Sequence, residues 1–374
     1  MSQIRLLRRV VSWIGGALVP IGLMGGPLGF TQKNLVSDGA VPAVTIDPDL
    51  KNPWGLSFSS TSPFWVSDAG AGLSTLYNGS GAKLGLVVTI PPAPGSPVGT
   101  LGSPTGTVFS ASGFMNDRFL FATEDGLIVG WSGGTQGLVR VDNSVSASYK
   151  GLAILNGTIY ATNFANGKID VFDSNYSPVN PPGGFTDPNL PAGYSPFGIQ
   201  EIGGFIYVTY AKKEQGGNDD EPGPGFGFVD KYDANGVLVQ RVVSGDPGNP
   251  NNPLNSPWGM ALAPQGFGDL SGLLLIGNFG DGKINGYDPM TGAFVGVLKD
   301  RFGNPIVNDG LWAIAFGNGA GAGKTNNLYF TAGLNDEEDG LFGSLQAVPE
   351  PGSGFLLAAG LGLGVLTHRL RRRA

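Results

Sequence analysis

From Asn52 to Val348, apolar and polar positions alternate in short runs broken by Gly, Pro, Asn and Asp. That is the pattern of half-buried strands joined by tight turns. The runs recur. A proline or small residue, then an aromatic or small residue, then another small residue opens a hydrophobic strand six times. These are NPWGLSF (Asn52–Phe58), SPTGTVF (Ser103–Phe109), YKGLAIL (Tyr149–Leu155), SPFGIQEI (Ser195–Ile202), SPWGMALA (Ser256–Ala263) and GLWAIAF (Gly310–Phe316). Their starts lie 46 to 61 residues apart. Each is followed by a second strand, from FWVSDAG in the first unit to NLYFTAGLND in the last. A third follows across a Gly-containing turn, from LSTLYNGSG to GLFGSLQAV. Weaker fourth strands are placed at LGLVVTI, GLVRVDN, PPGGFTD, VLVQRVV and FVGVLKD. Four short antiparallel strands in each unit of about 50 residues predict an all-β, six-bladed β-propeller. The alternative is seven blades with one degenerate.

The third and fifth units share a hairpin. ATNFANGKIDVFD (Ala161–Asp173) returns 115 residues later as IGNFGDGKINGYD (Ile276–Asp288), with six of thirteen positions identical. NG and DG stand where a tight hairpin requires positive φ. The first copy resembles an NHL-type repeat, V-x-D-x-x-N-x-R-I-x-x-F-D, through Asn166, Ile169, Phe172 and Asp173, with Asn163 and Lys168 replacing its aspartate and arginine. The second matches more loosely, through Lys283, Ile284, Tyr287 and Asp288. The sixth unit stops after its third strand. The leading segment TQKNLVSDG (Thr31–Gly39) is predicted to pair outside GLFGSLQAV and close the ring. The insertion AKKEQGGNDDEPGPGFG (Ala211–Gly227) reads as an acidic surface loop.

The 64 glycines and 28 prolines weaken helix interiors and fit this reading. Cysteine is absent, and the single histidine, His368, lies in the terminal tail. Disulfides, thiolate metal sites, cysteine nucleophiles and histidine-based triads or zinc sites are thereby excluded from the main body. Residues 1–30 carry Arg5, Arg8 and Arg9 before an uncharged run, the pattern of a secretory signal peptide, with an uncleaved anchor as the alternative. Residues 348–374 combine Val348, Pro349, Glu350 and Pro351 with an uncharged run to Thr367 and a cluster including Arg371, Arg372 and Arg373. The run is at the lower limit, about 17 residues, for spanning a bilayer. This end resembles a PEP-CTERM sorting signal, against which stands a chance hydrophobic tail. Together with NLVSDG, NPWGL and FWVSDAG in residues 31–347, the chain looks like a family of exported propellers carrying such tails. The resemblance implies a Gram-negative bacterium's export machinery, retention in the inner membrane, an exosortase-type processing enzyme and delivery to the cell surface or exopolysaccharide matrix.

Setting the two ends aside removes seven arginines and one glutamate from 22 basic and 29 acidic residues, leaving 15 against 28. So acidic a body is repelled by phosphate backbones, and nucleic acid is not expected as a partner.

Two constellations carry candidate chemistry. Trp54, Phe197, Trp258 and Trp312 open inner strands near the mouth of the central channel. They either stack on a ligand such as a glycan or wedge adjacent blades together. Polar residues recur near the end of the second strand, and Glu124, Asn163 and Asn278 offer oxygens suited to Ca²⁺. The six-bladed gluconolactonase and senescence-marker family uses such ligands around one channel metal, which would make this a cation-dependent hydrolase or lactonase. Asx residues in turns also bond their own backbone. The loops Gly216–Gly225 and Leu334–Gly340 lack the alternating spacing of an EF-hand. GNGAGAGKTNN (Gly317–Asn327) ends like a Walker A loop, but Asn318 occupies the position of its first glycine and no helix follows. The sequence therefore predicts a surface-sorted binding or scaffold module, with a glycan or protein as ligand and a channel hydrolase as the alternative.

Overall fold

All six units fold as antiparallel meanders in the computed structural model, which describes residues 29–348. The inner strands are Pro53–Ser57, Pro104–Phe109, Tyr149–Leu155, Tyr194–Ile202, Pro257–Leu262 and Leu311–Phe316. Each packs on the next, and the sixth packs on the first, so the ring holds six blades and not seven. In the shared hairpin, Gly167 and Gly282 take φ of +64° and +67°, as the tight turn demands.

Closure follows the predicted route. Strand Phe30–Ser37 pairs antiparallel with Asp339–Ala347, the third strand of blade six, with a bulge between Asn34 and Val36. Leu35 and Val36 are buried against Phe64, Tyr77 and Phe342, tying the last blade to the first. Beyond the prediction, Thr45–Ile46 adds a fifth, parallel strand at this edge.

One expected strand is misplaced. In blade three the fourth strand is only Pro178–Val179, and PPGGFTD (181–187) forms none. Pro181 and Pro182 have no N–H to give a ladder. The segment instead docks on the next blade, where Phe185 N–H donates to Gly236 O at 3.0 Å and the Phe185 ring packs on Tyr160 and Tyr232.

Among the described residues, six apolar clusters lie one between each pair of neighbouring blades, and a seventh fills the axis. The inner strands all run the same way along the channel, from what we term its upper end to its lower end. Phe316 ends the sixth inner strand and pairs with Leu328, while Asn327 pairs with Gln346 and Ala347 with Phe30. Gly29 and Val348 therefore meet at the lower end of blade six, where Val348 N–H donates to Gly29 O at 3.0 Å.

Candidate functional site at the channel mouth

The repeat places one residue per blade on the axis directly after the proline position: Trp54, Thr105, Lys150, Phe197, Trp258 and Trp312. The residue after each is small because the backbones touch there. A Cβ on Gly198 would lie 2.0 Å from Trp258 O, on Gly55 2.3 Å from Thr105 O, and on Gly259 2.4 Å from Trp312 O. A second layer comes from the residues at or just after the ends of the second strands, among them Ala69, Glu124, Phe164, Ala211 and Phe279.

These two layers form a plug. Trp54 stacks on Trp312 at 3.6 Å between centroids, Phe279 stacks on the same indole at 4.1 Å, and Trp258 meets Trp54 edge-on at 6.3 Å. Trp54, Phe197 and Trp312 are at most 2% exposed and Trp258 is 8% exposed. The ring faces a glycan would need are covered by one another, so the four aromatics hold blades together. The indole N–H of Trp312 donates to Asn52 Oδ1 at 3.0 Å, and that of Trp258 to Lys150 O at 3.2 Å.

Lys150 is the one charged residue in the axial layer, and its neighbour Glu124 is the one charged residue named in the second. The lysine is 2% exposed. Its Nζ donates to Glu124 and, at 2.8 Å, to Asp219, and it stands 5.1 Å from the Trp54 ring centre and 5.9 Å from that of Phe164. Burial alone pulls its pKa down, but the two carboxylates outweigh burial and hold it above the ordinary lysine value. Asp219 arrives from the 211–227 insertion, which this ion pair straps across the mouth. Asp220 beside it is pushed up to about 6 by burial, against the pull of Ser256 and Lys150. Burial likewise raises Glu337 to about 6, opposed by Asn52, whose Nδ2 donates to its carboxylate at 2.5 Å. Glu337 closes a run of three residues, Asn335 to Glu337, with φ of +53°, +53° and +67°. Such backbone strain concentrates at functional sites.

The three oxygens expected to share a cation do not come together. Glu124 faces the axis and binds Lys150. Asn163 ends its strand pointing into its own hairpin, where Nδ2 donates to Asp170 at 2.8 Å. Asn278 does the same in blade five, donating to Pro253 O at 2.7 Å and to Asp281 at 3.0 Å. Asp68 accepts from Thr75 N–H and Oγ1. The cause is strand alternation: the last residue of the second strand and the one after it point to opposite sides. Among the described residues no cluster of three or more His, Cys, Asp or Glu is gathered for a metal. Lys150, Asn52, Ser256 and Glu337 were not singled out from the sequence. Lys150 was visible there, since YKGLAIL puts a lysine where four other repeats have an aromatic.

Below the plug the channel opens into a cavity of about 480 Å³, closed above by Trp258 and lined by Leu56, Phe58, Ile199, Met260 and Phe316. Residues 1–28 of the expected signal peptide and the sorting motif at Pro349, Glu350, Pro351 and Arg371 to Arg373 lie outside the described residues, whereas Phe30, expected to end the signal peptide, is buried in the closing strand. Within the described residues no helix is long and apolar enough to cross a membrane.

No family model matches the chain. It is 32% identical over 331 residues to an uncharacterised protein of Acanthamoeba polyphaga mimivirus, covering 83% of this chain and 78% of that one. A second uncharacterised protein of the same virus matches at 32% identity over 84% of its length. This chain belongs to their family. Among solved structures, virginiamycin B lyase from Staphylococcus aureus superposes with a TM-score of 0.50 at 13% identity, over 85% of this chain and 100% of that one. That likeness extends to the propeller fold.

Proposed function

We propose that the protein is an exported binding or scaffold module of the cell envelope or exopolysaccharide matrix, sorted by its C-terminal signal and presenting the upper mouth outward. The observation that carries the reading is the opposition of the two faces. Both described chain ends leave from the lower end of blade six. The charged mouth, with its strapped insertion, lies at the upper end. A tether at Val348 therefore leaves the mouth free. Replacing Arg371, Arg372 and Arg373 by serine tests the sorting step by fractionation. The native chain is expected in the surface or matrix fraction and the variant depleted from it. Identical distributions would remove the sorting signal from the reading.

A cation-dependent hydrolase or lactonase is the second reading, favoured by Glu337 and Asp220, whose carboxyls titrate near the range where general acid–base groups work. Stoichiometric Ca²⁺ in the purified protein, lost in Glu124→Gln along with lactone hydrolysis, would carry that reading over the first.

A further inference from the structure

We propose that the cavity below the plug binds a medium-chain fatty acid end-on, its hydrocarbon tail against the plug and its carboxylate at the lower mouth beside Arg118. This site lies on the face opposite the charged mouth and does not depend on sorting of the chain.

At about 480 Å³ the cavity falls within the roughly 300–1,000 Å³ usual for small-molecule sites. Its wall is built at the lower ends of the inner strands. Phe58, Phe109 and Phe316, from blades one, two and six, form one half, and Ile154, Ile202 and Leu262, from blades three, four and five, form the other. All six keep surface exposed, unlike the plug aromatics above them, so an apolar guest gains by covering them. Trp258 closes the top, and a guest must enter from below with a slender apolar end first. Four strand residues from Trp312 to Phe316, at about 3.3 Å each, make the wall roughly 13 Å deep, which matches a tail of about ten carbons.

The mouth supplies a charge for the head. Arg118 is fixed at the lower end of blade two, where its backbone N–H donates to Trp131 O at 2.7 Å and its carbonyl accepts from Ser110 N–H at 2.8 Å. Its guanidinium stands 5.4 Å from the ring centre of Phe109, one of the wall residues. Arg140 is paired with Asp117, and Arg241 with Asp187 and Asp230, whereas Arg118 is exposed and forms no ion pair among the described residues. A fork of N–H donors above an apolar wall suits a carboxylate, which it can hold by two parallel bonds. The polar side chains of the wall are largely engaged elsewhere. Ser57 and Thr107 share a hydrogen bond at 3.1 Å, and Glu201 accepts from Gly204 N–H at 2.8 Å in its own turn. Glu201, on blade four, is the charged member of the wall, and its repulsion directs an anionic head towards blade two.

Titration calorimetry of the full chain with decanoate and with decanol tests the assignment. Decanoate is expected to bind one to one and about tenfold more tightly than decanol, the difference a charge-assisted hydrogen bond supplies. Arg118→Gln should remove that difference by weakening decanoate alone, and Glu201→Gln should tighten decanoate alone. Ala315→Phe, which fills the cavity from a partly exposed wall position, should abolish binding of both. Arg301→Gln, at an arginine over Phe302 on an exposed loop, is the control and should change neither. Thermal melts identify any variant that fails to fold, and the exposed Arg118 keeps the test open should Ala315→Phe do so. Equal affinity for decanoate and decanol in the native chain would overturn the place given to the head. Undiminished binding in folded Ala315→Phe would overturn the cavity as the site. Binding to phosphatidylglycerol vesicles without binding of free decanoate would overturn the free acid as ligand. No binding of decanoate by a native chain that still reaches the cell surface would sink this proposal and leave the module reading standing.

Discussion

Lys150 shows how one residue departs from a repeat without breaking the fold. At 2% exposure an ammonium is tolerated because two carboxylates meet it, one of them from a loop that begins some 60 residues later in the chain. Removing both partners leaves a buried unpaired charge, which costs about 3–5 kcal/mol. The double variant Glu124→Gln, Asp219→Asn is expected to lose stability of that order in urea unfolding at pH 7. A loss under about 1 kcal/mol would mean that water reaches the ammonium. The converse change, Lys150→Met, should cost less, since Glu124 and Asp219 keep 33% and 71% of their side-chain surface. At this scale the sequence was only partly readable. The aromatic positions were visible from the repeat, and so was the lysine among them. That the Asp219 strap folds back over the mouth depends on loop conformation, which alternation does not encode. The expected cation trio failed for a related reason. Asn163 is the last residue of its second strand and Glu124 the first after its own, so they differ by one position in the repeat and face opposite ways.

The strands themselves were legible because each is short, alternating and punctuated, and because six copies corroborate one another. The exception, PPGGFTD, failed where two prolines remove donors and a neighbouring blade offers a better dock. The inner strands also show why small residues follow the axis position. Gly198 is extended, so its need is for space and not for an unusual backbone angle. Gly198→Ala drives a methyl into Trp258 O and is expected to cost about 1–3 kcal/mol, or to prevent folding. Gly85→Ala, on an outer strand with nothing within 4 Å, is the control and should change thermal stability little. Equal melting temperatures for the two variants would refute close backbone approach at the axis as the origin of these glycines.

Across the whole molecule, acidity and stability are linked in an unusual direction. Asp220 and Glu337 titrate near 6 in the folded chain, against about 4 when unfolded. Between those values the folded state holds more protons, so the contribution of these two carboxyls to stability falls as pH rises from about 4 to 6, and Asp230, pushed up to about 7 by burial, extends the fall. The melting temperature is accordingly expected to be higher at pH 4.5 than at pH 6.5. The difference should shrink in the double variant Glu337→Gln, Asp220→Asn, and a profile unchanged by those substitutions would assign the effect elsewhere. The ring's manner of closing has a mechanical consequence. Strands Phe30–Ser37 and Asp339–Ala347 are antiparallel and their free ends emerge side by side. Force applied between Gly29 and Val348 would peel their hydrogen bonds one after another, like a zip, whereas a load borne by one end alone would leave the seam unstressed.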